Sequence, residues 1–222
     1  MLQQRFVGER AYLLVTAATG TVATAAGLAL AVRVGPQVLY LMLAGSFFVV
    51  FYTWPLKHVG LGELAVLIVW GPMMIAGGHF VLTGSMTISV FILSVIYGIA
   101  PTLVILGKHI DKASQDAPLG IRTLPVLLGD RQARLLSAPL LGCQWGLSAA
   151  LATQWPWLLL ALASIPAAWG LGNKLMREQP ETRPEHYPAQ LWPLWFSAFS
   201  FRYARSFGAC TITALAITAL VS

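Results

Sequence analysis

Charge is scarce in this sequence. Only 10% of its 222 residues are Asp, Glu, Lys or Arg and 57% are hydrophobic, whereas a soluble domain carries roughly 25% charged residues. Lipid is the solvent this composition implies. Cysteine is nearly absent as well. Cys143 and Cys210 both fall inside apolar stretches, too few and too deep for a disulfide framework, and core packing is their expected role. The chain has no extended water-soluble region, no low-complexity tract and no charge run. Its longest hydrophilic segment, 173–189 with Pro180, Pro184 and Pro188, reads as a solvated connector.

What the sequence does have is long uncharged runs, at 11–32, 36–54, 64–82, 86–107, 135–152, 156–172 and 206–222. At about 1.5 Å per residue, the longest reach the roughly 30 Å of a hydrocarbon core as helix. Open sheet would leave backbone groups unpaired in lipid. The expected fold is therefore all-α, a polytopic helical bundle of about seven spans forming one membrane domain over 1–222. Residues 191–201 are also apolar, and offer an alternative start for the last span before Arg202 and Arg205. Arg5, Arg10 and the small residues 29–31 resemble a secretory leader, but the first run exceeds the about 7 to 15 residues of a cleavable apolar region.

Threading the chain through seven spans puts thirteen of its fourteen Lys and Arg residues at one end, with Arg33 alone at the other, and all eight acidic residues join the majority. The positive-inside rule makes that end cytoplasmic. The net charge of +6 then reflects orientation and attraction to anionic membrane lipid, with no nucleic-acid partner required.

Ionisable groups concentrate after the fourth run, in Lys108-His109-Ile110-Asp111-Lys112-Ala113-Ser114-Gln115-Asp116 and on to Arg122. Two carboxylates with cations nearby suit a phosphorylated ligand held through Mg²⁺, which takes one or two protein carboxylates and fills its octahedron with phosphate oxygens and water. Lys108 and Arg122 would contact phosphate directly. Five helical residues separate Asp111 and Asp116 by well over a third of a turn, so shared chelation needs the helix to unwind. Pro118 favours a helix end near Asp116. The plainer alternative is a solvated helix end with Lys108–Asp111 and Lys112–Asp116 pairs. His109 reads as a base, a ligand or a solvated interfacial residue. Lys57, between the second and third runs, reads either as a diphosphate contact or as an anchor beside the interfacial aromatics Tyr52 and Trp54. His79 lies within the third run, where an ionisable side chain is costly. It marks either a functional position or, with Gly77 and Gly78, close helix packing.

Three stretches then bear on identity. They are 52–64 with Pro55-Leu56-Lys57 and Gly60-Leu61-Gly62-Glu63, 71–84 from Gly71-Pro72 to Thr83-Gly84, and above all 111–129. There Gly-Ile-Arg-Thr-Leu-Pro-Val-Leu-Leu-Gly follows the aspartates. Together they resemble the UbiA superfamily of intramembrane prenyltransferases, nearest to the branches that prenylate quinone precursors such as dihydroxynaphthoate. Trp192-Pro193-Leu194-Trp195 and Arg205 add a less specific likeness.

The resemblance implies a bundle of about nine helices around a central cavity, with two aspartate-rich motifs. Matched to it, this chain begins near the third helix and lacks the first motif, and its Asp111–Asp116 interval is one residue longer than the usual D-x-x-x-D. The implied activity is Mg²⁺-dependent transfer of a prenyl group from a polyprenyl diphosphate to an aromatic or other lipophilic acceptor in quinone or isoprenoid biosynthesis, in a bacterial inner membrane. Residue by residue, Asp111 and Asp116 would be catalytic and hold Mg²⁺, Lys57 and Arg122 would contact diphosphate, Tyr52 would line the donor site and His79 would lie near the acceptor. A bundle short of two helices would self-associate or take a complementing N-terminal segment. The alternatives are a non-catalytic isoprenoid-binding remnant and a seven-span transporter. For the latter, His79 is the only ionisable residue clearly within a span, which leaves little for an ion path.

Overall fold

The structure is a computed structural model that describes residues 8–221; Arg5 lies outside them. Its seven main helices are α1 (Glu9–Val34), α2 (Gln37–Phe51), α3 (Gly62–Thr83), α4 (Ile88–Asp116), α5 (Asp130–Ala152), α6 (Pro156–Leu175) and α7 (Phe196–Val221). Among the described residues there is no strand, as expected where lipid leaves the backbone no partner outside its own helix. Among the described residues six helices are long and apolar enough to cross a membrane, and α2 is the exception at 15 residues, about 22 Å. The second expected run therefore forms a shorter helix than its length suggested, because Tyr52 to Pro55 turn away into a short 3-10 segment, Leu56–Val59.

The last helix is longer than expected. It starts at Phe196 and runs without a break through Arg202 and Arg205, so residues 196–201 belong to its first turns and form no separate segment. Both cations lie in the N-terminal half of the helix, where a long aliphatic stem can carry charge away from hydrocarbon.

Helix α4 is the central post. It packs against α3, α5 and α7, while α6 packs against α7 and α5, and α1 packs on α2. Ile96, Ile99, Leu103 and Leu106 of α4 form the core with Leu151, Leu171, Tyr203 and Phe207. Two contacts run backbone to backbone. A Cβ on Gly98 would stand 2.8 Å from the Leu67 carbonyl oxygen and 2.9 Å from Gly71 Cα, and one on Gly107 would stand 2.9 Å from the Phe196 carbonyl carbon. Only glycine lets α3 and α7 approach α4 so closely. Between them, α3 widens into a π-helical stretch at Val69–Ala76 around Pro72, which lacks the N–H that the tighter ladder needs.

A buried polar bridge ties the core together. The Tyr203 hydroxyl donates to Gln144 Oε1 at 2.7 Å, and Gln144 Nε2 donates to the Ile96 carbonyl at 2.9 Å. It joins α7, α5 and α4 with each polar group satisfied, as an apolar interior demands. The cysteines do not join this core. Cys143 is exposed and Cys210 half-buried, because in a bundle of this composition the outward faces are apolar too. Apolar neighbours in sequence therefore did not indicate burial.

The segment 173–189 is not simply a solvated connector. Tyr187 is buried and packs on Trp192 and Trp195, Arg183 Nη1 donates to the Tyr187 carbonyl at 2.6 Å, and Lys174 Nζ sits 4.7 Å over the Trp195 ring. The aromatic residues fold it back onto the start of α7. Burial, reinforced by the nearby negative charge of Asp111, pushes the Tyr187 hydroxyl up from its ordinary range.

Candidate functional site

The charged loops meet at one end of the bundle. Lys57, from the turn after α2, places Nζ 3.8 Å from Asp116 Oδ2 at the end of α4, and Glu63, at the start of α3, places Oε1 2.7 Å from His109 Nδ1 of α4. Arg134 of α5 pairs with Asp130 at 2.8 Å and donates to the carbonyl of Leu175, which ends α6, at 3.0 Å. A Cβ on Gly60 would lie 3.7 Å from the carbonyl oxygen of Arg122, so the loops carrying Lys57 and Arg122 are in contact.

The two aspartates face different ways. Helix α4 stays α-helical to Asp116, and the five-residue step turns the side chains roughly 140° apart. Asp111 points to α7, where Oδ1 accepts the Phe196 N–H at 2.8 Å and Oδ2 accepts the Ser197 N–H at 2.9 Å. It caps the last helix, satisfying N–H groups that a helix start leaves unpaired and placing negative charge at the positive end of its dipole. Asp116 points to Lys57, and its buried Oδ2 has no hydrogen-bond partner among the described residues. The sequence-expected shared chelate is therefore absent from this geometry, because the helix does not unwind between the two carboxylates. The Lys108–Asp111 and Lys112–Asp116 pairs are absent too, since both aspartates find partners from other elements. Lys108 and Arg122 are exposed.

Glu63 is the residue that sequence reasoning passed over, and its pairing with His109 was not foreseen. Both are buried, so a solvated interfacial histidine is not what the structure shows, and Glu63 Oε2 has no partner among the described residues. The signal was the Gly-Leu-Gly-Glu run. A Cβ on Gly62 would lie 3.6 Å from the His109 ring.

Below this polar end lies an apolar cavity of about 940 Å³ between α2, α3, α4 and α7. Tyr52 stands at its charged end, and its backbone carbonyl accepts the Lys57 N–H at 2.9 Å. Phe48, Trp70, Tyr97, Pro101 and Phe201 supply much of the wall, and Arg205 is the one cation in the lining. His79 is not part of it. It lies near the far end of α3, sixteen residues and about 24 Å beyond Glu63, bonded through Nδ1 to the Ser85 carbonyl at 3.1 Å.

Mg²⁺ is the metal that the sequence resemblance implied. Among the described residues no three His, Cys, Asp or Glu side chains converge, and both Asp111 oxygens are committed to α7. Asp116 Oδ2 is the free acidic oxygen beside a cation. One carboxylate suits an Mg²⁺ ion that arrives with a diphosphate and fills its shell from phosphate and water, so Asp116 fits the metal and Asp111 does not.

Comparison with known proteins settles the family. Residues 13–197 match the model of the UbiA prenyltransferase family. The chain belongs to that family. It is 30% identical over 146 residues to UbiA prenyltransferase domain-containing protein 1 of Mus musculus, covering 64% of this chain and 43% of the relative. It is 27% identical over 146 residues to the 1,4-dihydroxy-2-naphthoate octaprenyltransferase of Mycobacterium tuberculosis, covering 64% and 50%. The Gallus gallus UbiA prenyltransferase domain-containing protein 1 is 27% identical over 130 residues, covering 58% and 39%. The chain thus spans half or less of each of these curated relatives. No solved structure matches it. This UbiA family member is an integral membrane protein by its helices and its family, and its relatives include animal as well as bacterial proteins.

Proposed function

We propose that this protein transfers a prenyl group from a polyprenyl diphosphate to a lipophilic, aromatic acceptor within the membrane. The observation that carries the reading is a 940 Å³ apolar cavity lined in part by Tyr52, whose backbone carbonyl accepts the N–H of Lys57, the residue that faces Asp116 at 3.8 Å. An isoprenoid diphosphate has the same polarity, a charged head on a hydrocarbon tail.

Lys57 contacts the diphosphate, with Arg122 on the adjoining loop as a second cation. Asp116 would hold Mg²⁺, which when bound neutralises the oxygens of the leaving diphosphate. Asp111 and Gly107 fix α7, and with it the cavity wall. Tyr52 stands between head and tail. The apolar lining keeps water from the allylic carbon as it gains cationic character, so that the acceptor ring is the nucleophile at hand. The charged end faces the cytoplasm by the positive-inside rule.

The test is incubation of the purified full chain, in bilayer nanodiscs with Mg²⁺, with radiolabelled geranylgeranyl diphosphate and aromatic acceptors. Appearance of a prenylated acceptor, lost in Asp116→Asn, is the expected result. A second reading, isoprenoid diphosphate binding without transfer, is favoured by the commitment of both Asp111 oxygens to α7. Saturable binding with no product under any acceptor would establish it.

A further inference from the structure

Glu63 Oε1 and His109 Nδ1 meet at 2.7 Å with both residues buried, while Glu63 Oε2 has no partner among the described residues. Such a pair adds little stability over an apolar pair of the same volume, and its best-attested use is to fix register. The chain around it shows what it registers. Glu63 is the second residue of α3, and the turn before it is closed on itself. The Lys57 N–H donates to the Tyr52 carbonyl at 2.9 Å, the His58 N–H to the Pro55 carbonyl at 2.8 Å and the Leu61 N–H to the Leu56 carbonyl at 2.9 Å. Gly60 turns the chain at φ +75°, a conformation that glycine adopts without strain. A turn bonded in this way moves as one piece with the start of α3.

That start sits on α4 at His109. A Cβ on Gly62 would lie 3.6 Å from His109 Cε1 and 3.7 Å from Lys57 Cα, so the ring and the Lys57 backbone border the same small space. Asp116 follows His109 by seven residues, nearly two turns, and lies on the same face of α4. The Lys57 backbone is therefore held at the level of His109, while its ammonium stands 3.8 Å from Asp116 Oδ2. A slip of α3 along α4 would carry Lys57 away from Asp116. We propose that Glu63 and His109 are positioning residues for the diphosphate end, whose contact fixes the height of the turn 55–62 on α4 and keeps Lys57 beside Asp116. Neither has to touch substrate to do so. The inference rests on the prenyl-transfer reading and adds to it the pair that sets the Lys57–Asp116 geometry.

The experiment measures binding of geranylgeranyl diphosphate with Mg²⁺ to the purified full chain, and hydrogen exchange of residues 52–63 without ligand. The Glu63→Ala/His109→Ala variant removes the contact and strands no charge. It is expected to bind about tenfold more weakly and to exchange faster over 52–63, with exchange over α5 and α6 unchanged. Glu63→Gln/His109→Asn, which restores a neutral hydrogen bond, should recover most of the affinity. In a Lys57→Gln background the double alanine change should cost no further affinity, because the group it positions is gone. Gly62→Val wedges the same contact without removing either partner and should weaken binding as the double alanine does, whether or not the latter folds, whereas Gly62→Ala has room and should not. Wild-type affinity in Gly62→Val, a loss of equal size with and without Lys57, or no recovery with the Gln/Asn pair overturns the proposal. Failure of wild type to bind geranylgeranyl diphosphate removes the prenyl-transfer reading instead. Exchange then decides the positioning role alone, since unchanged exchange over 52–63 in the double alanine and Gly62→Val variants overturns it and faster exchange supports it.

Discussion

The carboxylate of Asp111 accepts the backbone N–H of Phe196 at 2.8 Å across 85 positions of sequence, and its second oxygen takes the Ser197 N–H at 2.9 Å. A residue whose sequence context suggested metal binding thus fastens the last helix to the central one. Asp111→Ala leaves both donors without their anionic partner, for a loss of about 2 to 4 kcal/mol. Asp111→Asn keeps one acceptor and loses less. Thermal unfolding in mild detergent should rank the proteins wild type, Asp111→Asn, Asp111→Ala. A wild-type unfolding temperature for Asp111→Ala would exclude the capping role.

The same junction depends on Gly107, whose Cβ would lie 2.9 Å from Phe196 and Ser197 backbone, whereas a Cβ on Gly146 meets nothing within 4 Å. Gly107→Ala should destabilise by about 1 to 3 kcal/mol through displacement of α7. Gly146→Ala should be neutral or stabilising by up to about 1 kcal/mol, since alanine is the better helix former. Opposite signs in the two unfolding temperatures are the expected outcome.

Glu63 and His109 form a pair with both partners buried. Removing the histidine alone strands a carboxylate, at about 3 to 5 kcal/mol. Glu63→Gln together with His109→Ala should therefore cost clearly less than the two single changes summed. Additive costs in that double-mutant cycle would mean that the two residues act independently.

Sidedness follows from the charged end. With Cys143 and Cys210 replaced by serine, Glu181→Cys should react with a membrane-impermeant maleimide in inverted vesicles and stay unlabelled in right-side-out cells. The reverse pattern would invert the proposed orientation.

The fold was legible in sequence because lipid leaves few options. Uncharged runs have to be helices, and the contacts among Lys57, Asp116, Arg134 and Leu175 gather the charged loops at one end, as the alternation of spans required. The site was only partly legible. Residue type singled out Lys57 and Asp116, which the structure places side by side, but helical phase decided which oxygens are free, and Asp111 turned to an α7 backbone that no local pattern announces. Glu63 and His109 were separated by 46 positions, and only packing of α3 on α4 joins them. His79 looked functional because it lay in an apolar run, yet distance along α3 puts it at the opposite end from the charged cluster. Arg205 looked like a boundary, because a cation usually ends a span, and only the cavity shows which way it faces.

The most direct measurement is equilibrium binding of geranylgeranyl diphosphate to the purified full chain, with and without Mg²⁺, in wild type, Asp116→Asn and Lys57→Gln. The account predicts Mg²⁺-enhanced binding in wild type, loss of the Mg²⁺ enhancement in Asp116→Asn, and binding at least tenfold weaker in Lys57→Gln. Binding that ignores Mg²⁺ and both substitutions, or no binding at all, would contradict it.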